Sequence, residues 1–582
     1  MILQALTQYY ESMLKKGKIS RPGWSDADVT FAIVLNDDGS VDQIVSLETE
    51  RLVGKKMVLR PRSMKVPMQV KRSAGIAPNF LCDNAVYLLA VDVKNDPKRT
   101  LECFYAAKEL HLQILQDVCT PAADAVKAFW NTWNPEQTTE LPQVQEVLEQ
   151  LKKGGRLIFW YENEPVTQDS LIASAWQQHY DGSGEEKQMQ CLVTGKPASI
   201  PAIHPAIKGV RGAQATGAAL VSYNSPAFES YEKTQNYNGP VGEYAVFAYT
   251  TALNSLLADR NHVQVIGDTT VVCWAEGGEE AYQDLAMYGL MGVSPADEET
   301  TQNVRAALKS LAEGRPILWN QTSVIPSVRF YVLGLAPNAA RISVRFFLQN
   351  NFGSFLKNVE AHYERMNIVR PAYDKNEQLS LWMTLQETVN PKSNDKSPSP
   401  QLSGDMLRAI LENSRYPATL LNSVMLRIRA EHDITRGKAG IIKAYYLRNE
   451  NPFCPEEVLQ MSLNEQSKNI PYTLGRLFSV LEDIQQAANP EINATIKDKY
   501  FNSAAATPAN VFPLLLNLAQ KHLRKLETGK RIYLESQIAP LTGIVGEQFP
   551  VRLNLPEQGS FQLGYYFQTQ KRYQKKEDKD NG

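Results

Sequence analysis

The chain has 582 residues, 43% hydrophobic and 21% charged, with 33 glycines and 32 prolines. That length holds several domains with buried cores, and the composition excludes disordered, collagenous and coiled-coil chains. Lys plus Arg number 61 against 63 Asp plus Glu, a net charge of −2, so any nucleic-acid site must be a local patch on a chain that is not a polycation.

Residues 1–16, MILQALTQYYESMLKK, carry apolar side chains at 2, 3, 6, 9, 10, 13 and 14, the spacing of an amphipathic helix. They lack the cationic leader, apolar run and small-residue cleavage site of a signal peptide. No stretch approaches the roughly 20 apolar residues of a membrane span. Cys82, Cys103, Cys119, Cys191, Cys273 and Cys454 form no CxxC pair and no Cys/His cluster, so free thiols in a reducing compartment are expected, and with them a cytoplasmic protein without a membrane partner.

Residues 29–35 and 41–47 are β-rich runs flanking Asn36-Asp37-Asp38-Gly39, which predicts a hairpin with positive φ at the turn. Residues 51–72 lack helical period and hold Pro61 and Pro67, so extended or loop backbone is expected there. From about 84 to 330, β-like runs at 156–161, 219–223, 263–266 and 270–274 alternate with helical patterns at 97–117 and 240–258. Two more strand-like runs, 327–334 and 341–347, precede an amphipathic segment at 355–366. Residues 390–400, NPKSNDKSPSP, are polar and proline-rich and read as a solvated connector. Beyond it the period turns to 3.6, with Leu420, Leu421, Val424, Met425 and Ile428 on one stripe and Leu474, Leu477, Phe478, Leu481 and Ile484 on another. Thr507-Pro508 reads as an N-cap and first helical position for a helix over 509–526 that Gly529 closes.

The fold expected is therefore α+β: a mixed N-terminal region over 1–390 with several short antiparallel sheets and room for two or more subdomains, a linker at 391–403, and an α-helical bundle over 404–582. No internal repeat of fixed period is present.

Motifs for catalysis are missing. Thr194-Gly195-Lys196 is followed by Pro197 rather than the hydroxyl of a phosphate-binding loop, and there is no GxSxG or HExxH. Asp268 and Glu276 bracket a strand-like run, but eight extended residues span about 26 Å, too far to share a metal or a water. The dipeptide His432-Asp433 lacks further ligands at metal spacing and reads equally as a polar pair at a helix start.

The strongest physical signal is a block of one charge. Arg51, Lys55, Lys56, Arg60, Arg62, Lys65, Lys71 and Arg72 include no acidic residue among Lys55–Arg72 or before Asp83. Such a block repels itself unless a polyanion neutralises it, the other reading being a solvated basic loop. Residues 71–84, KRSAGIAPNFLCDN, follow. Gly75 permits close backbone approach, Asn79 offers a donor and an acceptor, and Phe80 is an apolar ring beside it. Those properties suit reading base edges and wedging a base step, and equally a capped loop with Phe80 in the core. A second loop, KGVRGAQATG at 208–217, adds Lys208, Arg211 and Gln214 on a glycine-rich backbone suited to phosphates or a splayed strand, or to an ordinary surface loop.

Several runs in order along the chain carry a resemblance: MILQAL at the start, 71–84, CLVTG at 191–195, HPAIKGVRGAQ at 204–214, FAYTTAL at 247–253, FYVLGLAPNAAR at 330–341, ATIKDKYF at 494–501, ATPANVFP at 506–513 and LGYY at 563–566. Together they resemble the large subunit of the type I-C CRISPR surveillance complex, Cascade. The resemblance implies a non-catalytic, cofactor-free ribonucleoprotein subunit of antiviral defence. Its implied partners are the CRISPR guide RNA, double-stranded target DNA and the displaced single strand, other Cascade backbone and guide-processing subunits, a small subunit and a recruited helicase-nuclease. Base pairing would read the target while this chain reads the protospacer-adjacent motif (PAM) as duplex and starts strand separation. Lys71, Arg72, Gly75, Asn79 and Phe80 then become the motif-reading loop, with Asn79 as base reader and Phe80 as wedge. Lys55, Lys56, Arg60, Arg62 and Lys65 become phosphate contacts, and Lys208, Arg211 and Gln214 a second nucleic-acid loop. Arg427, Arg429, Arg436, Lys438 and Lys443 are candidates to line a single-strand path, or are solvated helix charges. Met461 is a candidate internal start for 461–582 as a separate small subunit. The rival readings are a metal-dependent DNA nuclease using Asp268, Glu276 or His432-Asp433, and a purely structural subunit.

Overall fold

A computed structural model describes residues 1–53, 56–70, 72, 75–93, 95–182, 188–291 and 298–580. The chain folds into two compact units: residues 1–205 with 221–253, and residues 206–220 with 254–582.

The first unit opens with the amphipathic helix Ile2–Lys15, burying Leu6, Tyr9, Tyr10 and Met13. The strand Phe31–Leu35 turns through Asn36–Ser40 into the strand Val41–Ser46, as the Asp-Gly signal predicts. Gly39 sits at φ +78, and a Cβ there would lie 2.2 Å from the Phe129 backbone nitrogen, so both conformation and space require glycine. Phe31–Leu35 then pairs in parallel with Arg156–Tyr161, which pairs antiparallel with Cys82–Asn84 and Glu164–Pro165. The helices Pro97–Leu115 and Pro121–Thr132 begin on Asp96 and Thr120 caps and bury their apolar faces with the sheet. Phe31, Phe80, Phe104, Phe129, Trp130, Phe159 and Trp176 form the centre of that core.

Most of the described residues in the stretch expected to be extended or loop between 51 and 72 are in strands. Thr49–Val53 and Lys56–Arg60 form a two-stranded ribbon, and Arg62–Pro67 pairs with Trp24–Val29. Pro61 stands between two strands and Pro67 ends one, where neither interrupts a ladder.

The second unit is built on an antiparallel sheet in the order Gln264–Ile266, Thr269–Ala275, Arg329–Asn338, Arg341–Asn351. The helix Phe352–Met366 follows at once, and helices dominate from Leu381 to Asp580. The whole is thus mixed α and β with short antiparallel sheets toward the N-terminus and helices toward the C-terminus. One expected strand is not formed: within 219–223 Ala219 makes a single isolated bridge, with Arg341, and no ladder follows from it among the described residues.

Compactness divides the chain near 205–254, and the expected linker at 391–403 lies inside the second unit. Residues 390–399 are irregular, but the helix Pro400–Leu411 starts within the segment, and Leu402 and Met406 join the same core as Phe355 and Met366. The helix after Thr507 spans Pro508–Leu523. Gly529 does not close it; this glycine falls in the next helix, Thr528–Val545. The Thr507 hydroxyl makes no cap to that helix and instead donates back to the Ser503 carbonyl at 3.2 Å.

Candidate nucleic-acid interface

The strand Arg62–Pro67 delivers the chain to residue 68, and the strand Cys82–Asn84 receives it at the edge of the five-stranded sheet. What lies between is tied down at its base. Asp83, 2% exposed, accepts hydrogen bonds from the backbone of Asn79 and Asn84, each at 2.8 Å, and pairs with both terminal nitrogens of Arg72. The Arg72 Nε donates to the Ala77 carbonyl, and the guanidinium lies 3.9 Å above the Tyr87 ring. Burial works against its charge, but Asp83 outweighs that effect and holds Arg72 more firmly protonated than usual. Arg72, expected as a member of the motif-reading loop, is therefore a structural cation paired within that loop.

Asn79 is also part of the frame. Its side chain is buried and Oδ1 accepts from the Val70 N–H at 2.7 Å, closing the base of the loop. Its Nδ2 has no hydrogen-bond partner among the described residues. Phe80 is fully buried, stacked on Trp176 at 5.4 Å between centroids and tilted against His111 at 5.0 Å. A wedge must present its ring to solvent, so Phe80 takes the other role the sequence left open, that of core anchor. Leu81 follows at φ +58, and its N–H donates to His111 Nε2 at 2.8 Å while His111 Nδ1 meets the Ala107 carbonyl at 2.7 Å. Burial drives the His111 pKa down to about 4, so the ring is neutral and Nε2 is a fixed acceptor.

The exposed crest of this loop includes Gly75, at φ +84 with open space where a Cβ would be, and Ile76. Lys71 lies outside the described residues, as does Lys55. At the base of the loop is a cleft of about 420 Å³ lined by Asp28, Thr30, Val70, Asn79 and Arg156, among others. Arg156 is exposed at the start of its strand, and its guanidinium donates to the Asp28 carbonyl at 3.4 Å.

The basic block runs along the neighbouring strands. Lys56 opens the strand that Arg60 closes; Arg60 and Arg62 are exposed without an ion-pair partner among the described residues. Lys65 is exposed and donates to the Gly17 carbonyl at 3.1 Å. Asp83, Tyr87, His111, Arg156 and Trp176 escape a reading of the sequence because each comes from a different element. Asp83 alone left a trace, as the acid that ends the one-sign block.

The 208–217 loop belongs to the second unit. It is closed at its neck by the Ile207–Ala218 bridge and pinned from within by Lys208 N–H to Asn254 Oδ1 at 2.8 Å and Arg211 N–H to Thr270 Oγ1 at 3.0 Å. The side chains of Lys208, Arg211 and Gln214 stay exposed. Of the helical cations, Arg436, Lys438 and Lys443 are buried: Arg436 pairs with Asp374, Lys438 with Glu431, and Lys443 donates to the carbonyls of Arg365 and Asn367 at the end of a helix. They cannot line a strand path. Arg427 pairs with Glu431, and Arg429 donates to Gln558.

The residues of the nuclease reading are separately engaged. Asp268 pairs with Arg345 at 2.7 Å and Glu276 with Arg329 at 3.6 Å, beyond opposite ends of the strand Thr269–Ala275. His432 is the left-handed C-cap of the helix Ala418–Glu431, and Asp433 pairs with Lys497 at 3.0 Å. Among the described residues no group of three or more His, Cys, Asp or Glu is placed to hold a metal ion, and no helix is long and apolar enough to cross a membrane.

No curated protein matches the sequence. A family model described as CRISPR-associated protein (Cas_Csd1) matches residues 6–573, nearly the whole chain. With motifs, fold and the extent of that match in agreement, the chain belongs to the CRISPR-associated Cas_Csd1 family, a family of Cascade large subunits.

Proposed function

We propose that this Cascade subunit reads the protospacer-adjacent motif in duplex DNA with the 70–84 loop, starts strand separation and helps recruit the helicase-nuclease. The observation that carries the proposal is the loop itself. Its base is locked by the Asp83, Arg72, Asn79 and Phe80 contacts and borders a polar cleft, while its crest stays exposed. A rigid base with an exposed crest is what base readout requires, because each unit of freedom lost on binding weakens discrimination. Asn79 Nδ2, at the cleft wall, is the proposed donor to a base edge. Lys55, Lys56, Lys71, Arg60, Arg62 and Lys65 are the proposed phosphate contacts, with Arg156 added from the cleft. Lys208, Arg211 and Gln214 form a second proposed contact, whose exposed side chains on a pinned loop suit a nucleic-acid backbone.

The test is the affinity of the reconstituted complex for matched duplexes with intact or scrambled motif. Asn79→Asp retains the acceptor for the Val70 N–H and removes the amide donor. The added charge weakens all DNA alike, so the readout is the ratio between the two duplexes. That ratio should fall about tenfold, the value of about 1.4 kcal/mol for one base contact. A ratio equal to wild type would remove Asn79 from the reading role. Arg60→Gln with Arg62→Gln should instead weaken both duplexes equally and flatten the salt dependence by about two ions.

A further inference from the structure

A second cleft in the first unit has the composition of a nucleotide site. It holds about 800 Å³ between the end of the first helix, the strand Arg62–Pro67 and the segment 160–173. Its lining includes Arg21, Arg62 and Lys65 against one carboxylate, Glu164. Arg21 lies 5.0 Å over the Trp24 ring and has no ion pair among the described residues; Arg62 likewise has none. Two unpaired guanidinium groups flanking one cleft are a site for an anion of more than one oxygen.

The same cleft has an apolar and a polar wall. Trp160 is partly buried, packed on one side against Ala27, Val29, Val66, Cys82 and Ile158, and lines the cleft. Its Nε1 is buried without a hydrogen-bond partner among the described residues, and so is the Oγ of Ser20, a residue only 2% exposed that also lines the cleft. Asn163 and Gln168 add amides at the mouth.

Cations for a phosphate and an indole for a planar ring describe one ligand class. We infer that this cleft takes one nucleotide of a single strand, its phosphate on Arg21 and Arg62 and its base beside Trp160. The shared chemistry is found in the guide RNA and in the displaced DNA strand. The inference rests on the nucleic-acid reading above but concerns single strands, so its failure is separable from failure of motif reading.

The test uses the full chain with 8-nucleotide single strands of RNA carrying 4-thiouridine or DNA carrying 4-thiothymidine, measuring affinity and mapping photo-cross-links. The expected result is a cross-link on the peptide containing Trp160. Arg21→Gln with Arg62→Gln should weaken the strand about tenfold or more and lower the salt slope by about 1.4, two contacts at about 0.7 each. Trp160→Phe should retain most of the affinity and Trp160→Leu should lose it, while urea unfolding shows both variants folded, which separates loss of stacking from loss of packing. A stronger RNA arm assigns the cleft to the guide, a stronger DNA arm to the displaced strand. Cross-links that avoid this peptide, or a double variant that binds as wild type, overturn the inference. If wild type binds no single strand while the complex still discriminates motif duplexes, the cleft inference falls and the motif reading stands; if neither binds, both fall.

Discussion

Asp83 decides more than any other side chain near the candidate site, because it is buried and answers four donors at once. Asp83→Ala leaves the Arg72 charge and two backbone N–H groups without their partner. Loss of about 3 kcal/mol in urea unfolding is expected, as for other broken buried pairs. Phe80→Ala should cost a similar 3–5 kcal/mol, whereas an exposed wedge would be nearly neutral, within about 0.5 kcal/mol. Stability measurement therefore distinguishes anchor from wedge without any DNA. His111 supplies a pH signature. Its folded pKa of about 4 lies below the ordinary 6.5, so the unfolded chain binds more protons between those values. Its contribution is complete above about pH 6.5 and is lost as pH falls toward 4, by at most about 3 kcal/mol. The stability difference between wild type and His111→Gln should therefore shrink over that window; a difference constant with pH would refute the neutral buried ring. His262 has the opposite sign. Burial opposes its charge, but Asp259 at 2.6 Å and Asp284 at 2.7 Å raise its pKa, so its contribution is present below pH 6.5 and disappears as pH rises through the raised value.

Pairs of helices carry the second unit, and one pair touches backbone to backbone. A Cβ at Gly475 would lie 1.9 Å from the Phe561 carbonyl oxygen, and one at Gly564 2.0 Å from that of Tyr472. The helices Ile470–Ala488 and Leu555–Asp580 thus cross where two glycines remove side chains that would hold them apart. Gly475→Ala must push the pair open and should cost about 3 kcal/mol. Gly543 is the control: it lies in the helix Thr528–Val545 with open space at its Cβ, so Gly543→Ala should be neutral or stabilise by up to about 1 kcal/mol. Thermal unfolding of the two variants gives the comparison, and equal effects would contradict the close crossing. The strands are legible where alternation and turn chemistry agree, as in the 29–47 hairpin. The strand Lys56–Arg60 is not, because Met57, Val58 and Leu59 stand exposed in succession and burial imposes no period there.

The whole chain divides at a place that composition does not mark. Residues 206–220 belong to the unit of 254–582, so no single cut separates the two, and the proline-rich segment at 390–400 is a surface turn inside one of them. The proposal that the segment from Met461 is also made as a small subunit requires that segment to fold alone. Its helices Ile470–Ala488, Ile496–Ala506, Pro508–Leu523 and Leu555–Asp580 share one core through Phe478, Phe501, Phe512, Phe561 and Tyr565, and Thr528–Val545 adds Leu534, Leu541 and Val545 to it. The isolated 461–582 fragment should therefore be helical by circular dichroism and melt cooperatively. A non-cooperative, dye-binding fragment would argue that it needs the rest of its unit.

Periodicity, turn residues and the one-sign charge block depend on local spacing, and so the class of fold, the first hairpin, the C-terminal helices and the position of the basic region are written in the chain order. The family was legible for a related reason, since ordered motifs persist in a linear string. Which cations are free is a different kind of fact. Arg72, Arg436, Lys438 and Lys443 look the same in sequence as Arg60 and Arg62, yet the first three are paired with the carboxylates of Asp83, Asp374 and Glu431 and the fourth is held by the carbonyls of Arg365 and Asn367. Asn79 and Phe80 likewise read as exposed or buried with equal ease, until Val70, Trp176 and His111 are brought against them. Charge and shape at a site are sums over neighbours in space, and those sums exist only once the chain has folded.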